Sequence, residues 1–280
     1  MKSTPEWDKE ALLQTVSFFP LHHAISHLGK EAFPTLQDCN ALLAGQQPVI
    51  TVHSGLSLSF VPQEYGRLPF EAQYEPRCYL KGEVPTRAGN WHDLLNALVW
   101  LVFPRAKAAI NLRHYHALTE ESNTEKHSQR GVVRDTNTLL DESGVIVACA
   151  APELAGLLRS FQWKELFWHR RTEVQSRMGF YLFGHGLYEK ALNPYIGMTG
   201  QGLILPVEEK FFTWTVVKQL SCLDELLAEY LASSAHCRST RELTPVPLLG
   251  VPGWAVENEN AEYYDNTNYF RAGRNGHTTT

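Results

Sequence analysis

An imidazole and a carboxylate stand four residues apart in Gly184-His185-Gly186-Leu187-Tyr188-Glu189-Lys190. On a helix, residues i and i+4 share a face, so His185 and Glu189 can serve one site. A second run, Asn90-Trp91-His92-Asp93-Leu94-Leu95-Asn96, sets His92, Asp93 and Asn96 at the head of an apolar stretch. Polar side chains in such surroundings need partners. Imidazole nitrogens and carboxylate oxygens together are the donor set of a divalent metal centre, once a third ligand arrives from elsewhere in the chain. The segment from Arg134 to Gly144 offers three further carboxylates, Asp135, Asp141 and Glu142. Hard oxygen ligands of this kind suit a divalent cation.

This pattern assigns His92, Asp93, His185 and Asp141 to metal binding and Glu189 and Asp135 to catalysis. A divalent metal is the cofactor it calls for. The ion would polarise a substrate oxygen or activate water, with a spare carboxylate as general base: a metal-assisted hydrolase. Each feature also has a plainer reading. His185 and Glu189 can simply bond one another, Asp93 can be a first-turn acid that suits the helix dipole, and Asn96 can bond a neighbouring backbone carbonyl. Asp141-Glu142-Ser143-Gly144 is ordinary turn chemistry, and Arg134 and Asp135 can form an ion pair. The protein would then be a non-catalytic binding or scaffold molecule, its buried polar groups cross-linking helices and its Pro/Trp/Tyr-rich tail offering a contact surface. Three or more of these side chains meeting in an open pocket favour the enzyme. Closed pairing without a cavity favours the scaffold.

Other chemistries find little support. HExxH is absent, as are GxSxG, Walker A and GxGxxG patterns. His114 and His116 would share a face only on a strand. On the helix expected there they point apart and read as surface residues. The five cysteines include no CxxC or CxxxC pair and fit a reducing cytoplasm, with Cys149 a small buried hydrophobe.

The chain has 280 residues, 44% hydrophobic and 20% charged, with net charge −5. That is a globular composition with no basic footprint for nucleic acid. A small molecule or another protein is the expected partner. The N-terminus carries acids early and has no apolar signal core. The run Leu94 to Phe103 is about half the length needed to span a bilayer, and Asn96 interrupts it. It reads as a buried helix.

Several elements must position the site. Asn90 is a suitable N-cap for a helix running to about Phe103, with Pro104 kinking it or opening the next. Short helices are expected over residues 10–16, 22–28 and 35–43. Strands are expected at 49–52, at 56–61 and near 203–207, and an irregular Pro-rich stretch over 62–86. Thr119 to Gly131 reads as an exposed loop. Val132 to Asp135 and Val145 to Cys149 suggest a hairpin. Helices follow from Pro152 and over 163–171, then Arg177 to Leu192 reads as the helix that bears His185, although Gly184 and Gly186 weaken it. Leu223 to Ala232 is a clear amphipathic helix. The expected fold is α+β and helix-rich, a single compact domain with a small mixed or antiparallel sheet. Its parts would be an irregular segment over 1–89 packed on the core, a main core over 90–254 and a polar tail over 255–280.

The run Asn90 to Leu98 with Trp100 and Phe103-Pro104, then Arg134-Asp135, Asp141-Glu142-Ser143-Gly144, Phe183 to Gly186 with Glu189-Lys190, and Pro247 to Trp254 occur here in one order. In that combination the chain resembles a bacterial family, domain of unknown function family 3025. The resemblance implies a soluble protein of proteobacterial type and transfers no mechanism.

Overall fold

The structure is a computed structural model and describes residues 6–121 and 127–273. The N-terminal part carries α1 (Lys9–Gln14), α2 (His22–Ser26), α3 (Leu36–Ala44), β1 (Ser59–Pro62), α4 (Tyr74–Lys81) and β2 (Glu83–Thr86). Then come α5 (Trp91–Val102), α6 (Pro104–Glu121), α7 (His127–Ser143), β3 (Gly144–Cys149), α8 (Pro152–Arg159), α9 (Arg171–Arg177) and β4 (Met178–Leu182). The rest is α10 (His185–Ala191), β5 (Thr199–Pro206), α11 (Val216–Ala232) and β6 (Thr244–Pro247), the elements being joined by short 3-10 turns and a π-helical turn at Glu165–His169. This is a helix-rich α+β protein with two small sheets.

The larger sheet has the order β4-β3-β5-β6 and is mixed: β3 runs antiparallel to β4 and parallel to β5, and β5 runs antiparallel to β6. β3 is buried along its whole length, as a central strand covered on both faces should be. β1 and β2 pair in parallel as a separate ribbon.

α5 is the central helix. The Asn90 side chain accepts from the Asp93 backbone N–H at 3.1 Å, closing the first turn. From Trp91 to Leu101 every residue except His92 is buried. Pro104 opens α6 at its first position, where its missing N–H has no helical role. No helix among the described residues is long and apolar enough to cross a membrane.

Four sequence expectations need correction. No hairpin joins 132–135 to 145–149, because 127–143 is helical. The Thr136 hydroxyl and Asn137 Nδ2 donate to the carbonyls of Val132 and Val133, both at 2.7 Å, within that helix. Part of the loop expected over 119–131 is helix as well, at the ends of α6 and α7, and residues 122–126 of it lie outside the described residues. The Pro-rich stretch 62–86 contains α4 and β2, with Pro76 inside the first turn of α4. Residues 177–192 are not one helix: β4 and the short α10 share them, and Phe183-Gly184 makes the corner.

Residues 255–273 fold back as 3-10 turns. Asn258, Tyr264, Tyr269 and Phe270 are buried, and the Trp163 indole donates to the Arg271 carbonyl at 2.8 Å. Residues 274–280 lie outside the described residues.

Candidate metal centre

The register of β3 and β4 builds the first half of the site. Val145 pairs with Leu182. Continuing that antiparallel register three residues past the sheet sets Glu142, at the end of α7, across from His185, at the start of α10. The crossing is tight. A Cβ on Gly184 would meet the Gly144 nitrogen at 2.4 Å, and one on Gly186 would meet Glu142 Oε2 at 2.4 Å. At Gly184 the α7–β3 backbone passes too close for any side chain, and at Gly186 the space is taken by the Glu142 carboxylate.

Packing of α5 against α10 supplies the second half. His92, at the second position of α5, reaches both His185 and Glu189. His92 Nε2 lies 3.0 Å from His185 Nε2 and 3.7 Å from Glu142 Oε1. His185 Nε2 lies 3.5 Å from the same Glu142 oxygen. These three side chains have ligand atoms all within 4.8 Å of one another. Beside them lies a cleft of about 510 Å³, lined by residues from α4 to α7 and the segments before them.

Carboxylates stand behind both rings. His92 Nδ1 donates to Glu189 Oε2 at 3.0 Å, which turns Nε2 toward His185 and Glu142. His185 Nδ1 faces Asp141, whose Oδ2 lies at 3.7 Å, beyond hydrogen-bond distance. Asp141 Oδ1 accepts from the buried Lys107 ammonium at 2.5 Å. Burial alone would raise the Asp141 carboxyl, but Lys107 and then His185 outweigh it, and its pKa lies below the ordinary value. Burial lowers His185 to about 3, against the pull of Asp141, so the ring is neutral near pH 7.

The proton count on the two rings is awkward. If His185 carries its proton on Nε2, it bonds His92 but turns a lone pair on Nδ1 toward the Asp141 carboxylate. If it carries the proton on Nδ1, two Nε2 lone pairs face each other at 3.0 Å. A cation between the rings satisfies both, whether it is a second proton on His92 or a metal ion that both Nε2 atoms ligate, with His185 Nδ1–H aimed at Asp141. Burial also raises Glu142 despite the opposing pull of His92, and a bound cation would favour its charged form.

His92, His185, Glu189 and Asp141 meet as neighbours. Asp93 does not join them. Its two oxygens take Nη2 and Nε of Arg87 at 2.7 and 2.9 Å, and Oδ2 takes the Arg87 backbone N–H at 2.6 Å. Asp135 is exposed and does not line the cleft. The face of α7 that lines it carries Arg134, Thr138, Asp141 and Glu142; Asp135 stands at the edge of that face, about two helical turns or ~10 Å before Glu142.

Glu142 belongs to the donor set but was not assigned to it from sequence. Its signal was adjacency to Asp141, which a turn reading masked. His114 also needs correction: it is buried and lines the cleft, while His116 is exposed. Lys107, Asn111 and His114 form a polar stripe on the inner face of α6. Asn111 Nδ2 donates to Glu75 Oε2 at 2.6 Å, and burial raises the Glu75 carboxyl. Asn96 Nδ2 donates to the Tyr74 hydroxyl at 2.6 Å, a side-chain partner in place of the expected backbone carbonyl.

Fold and site together define a helix-rich α+β protein with a histidine–carboxylate cluster at the edge of a polar cleft. The chain belongs to the DUF3025 family, described as protein of unknown function, whose model matches residues 58–274. No curated protein and no solved structure matches it.

Proposed function

We propose that His92, Glu142 and His185 bind a divalent metal ion and that the cleft beside them is the active site of a metal-assisted hydrolase. The shape of the donor triangle carries this reading. Its edges are 3.0, 3.5 and 3.7 Å. Tetrahedral ligands at about 2.0–2.1 Å from an ion stand about 3.3–3.4 Å from one another. The three donors thus keep the spacing of three corners, and the fourth is left for water or a substrate oxygen. Three protein ligands and an exchangeable position are what a catalytic ion requires.

The remaining roles follow from the partners. Glu189 and Asp141 orient His92 and His185 from behind, and Lys107 keeps Asp141 ionised. Glu189 holds His92 Nδ1 on the side of the ring away from the donor triangle and does not line the cleft, so it acts on the site through His92. Asp135 has no part in this scheme, and Asp93 serves Arg87.

One observation favours the scaffold alternative: the two rings already lie within hydrogen-bond distance of each other. Metal analysis separates the two. Protein stripped with chelator and dialysed against zinc, manganese or magnesium should take up about one ion per chain. His92→Ala and His185→Ala should each lose most of that uptake. Ester, amide and phosphoester test substrates should be cleaved only by reloaded protein. No uptake by the native chain would leave the scaffold reading in place.

A further inference from the structure

Arg87 lines the same cleft, in the turn between β2 and α5. Asp93 grips it along one edge through Nε and Nη2 and holds its backbone as well. The anchor is buried, whereas the Arg87 side chain keeps 45% of its surface exposed. A guanidinium held along its Nε–Nη2 edge leaves Nη1 and the second Nη2 proton unused. Among the described residues that end of the fork has no partner.

Arg87 also stands close to the metal donors. The hydrogen bonds to Asp93 raise its pKa, burial opposes them, and the charges of Asp93, Tyr65 and Glu189 add to the rise. Glu189 is the carboxylate that holds His92. The fork and the donor triangle therefore border one cleft. A fork with a free end matches carboxylate and phosphoryl oxygens through paired N–H bonds. Its anchoring lowers the entropy lost when a ligand binds. Asp93 cancels much of the charge of Arg87, so recognition here depends on directed N–H bonds more than on net attraction.

We infer that the cleft takes a substrate bearing an oxyanion, a carboxylate or a phosphoryl group, which Arg87 clamps while the bond to be hydrolysed lies at the His92–Glu142–His185 cluster. This names the substrate class of the site and rests on the hydrolase reading above.

Inorganic phosphate and acetate are the probes, each titrated into the native protein in metal-free and metal-loaded form. At least one should bind, and Arg87→Ala should weaken it by about tenfold or more. Arg87→Lys should recover only part of the loss, because a point charge lacks the fork. Arg87→Ala leaves Asp93 buried and unpaired and can unfold the turn. The double variant Arg87→Ala/Asp93→Asn removes that problem and should bind as weakly. Metal uptake should stay within about twofold of native throughout, since neither residue is a ligand. Binding of phosphate alone marks a phosphoryl substrate, and of acetate alone a carboxylate. The inference is overturned if neither anion binds the native protein, or if the double variant binds as the native does. Arg87-dependent anion binding in a protein that takes up no metal would sink the hydrolase reading but keep the oxyanion site. Normal metal uptake without Arg87 dependence would do the reverse.

Discussion

His185 shows how burial and tautomer act together on one ring. Its folded pKa is about 3, below the ordinary 6.5, chiefly because burial penalises the imidazolium. Between those values the unfolded chain binds more protons than the folded one. The stability tied to this neutral ring is therefore fully present above pH 6.5 and is lost as pH falls toward 3. Asp224, raised by burial to about 6, acts in the opposite sense, and its contribution is lost as pH rises through 6. Denaturation of native and His185→Gln protein across pH 3–7 isolates the histidine: the native chain should lose up to a few kcal/mol more on acidification. Equal slopes would show that the ring is not held neutral. Glu189 poses a different question. Glu189→Gln keeps shape and most hydrogen-bonding capacity but loses charge. As the carboxylate that orients His92, Glu189 predicts metal affinity and turnover each reduced about 10- to 100-fold, with the melting temperature of the metal-free protein unchanged. A clear drop in the melt with no change in metal content would identify the residue as core scaffolding instead.

At the scale of elements, the site depends on one strand pairing and one helix crossing. The β3–β4 register sets Glu142 opposite His185, and the α5–α10 packing brings in His92. The glycines on either side of His185 are where this geometry is most exposed to mutation. At Gly184 an added Cβ strikes backbone of the α7–β3 junction, which cannot move without disturbing the sheet. Gly184→Ala should cost about 3 kcal/mol or prevent folding, read from urea denaturation. At Gly186 the nearest atom is the end of the Glu142 side chain, which can swing aside, although the Glu142 carbonyl at 3.1 Å limits the escape. Gly186→Ala should therefore cost about 1 kcal/mol while weakening metal binding at least tenfold. If its metal affinity stays native, Glu142 is not a ligand.

The whole molecule joins the cleft to folding. Donors from α5, α7 and α10 converge only when the chain is folded, so an ion bound there should stabilise the fold by mass action. At 100 times its dissociation constant the gain is about 2.7 kcal/mol. Chelator should then lower the melting temperature by several degrees, and the His92→Ala variant should not respond. A chelator-insensitive native melt would count against a resident ion. The buried stripe Lys107, Asn111 and His114 faces Glu75 and Asp141 across the same region, so α4 and α6 brace the metal-bearing helices through polar contacts as well as apolar ones.

Local patterning is enough to read much of this protein. The Asn90 cap, Pro104 at a helix start, the apolar run after Asp93 and the unbroken Val145–Cys149 stretch each depend on neighbours within a turn or two, and each is visible in the sequence. The prominence of His92, His185, Glu189 and Asp141 is visible for the same reason: charged and imidazole groups stand out in apolar surroundings. Which of them touch is a different matter. Asp93 and His92 are adjacent in sequence, yet one turns to Arg87 and the other to Glu189 and His185, because successive helix positions point about 100° apart. Glu142 entered the donor set through a strand register, a contact between distant segments that no local window contains. The helix over 127–143 is hidden from local reading because its polar residues resemble turn chemistry and its buried partners, such as Lys107 for Asp141, come from another helix, and β4 because its partner β3 lies far upstream in sequence. Sequence supplied the chemistry available to the site. Tertiary packing decided which donors share a cation-sized gap, because that choice is made by contacts across the fold.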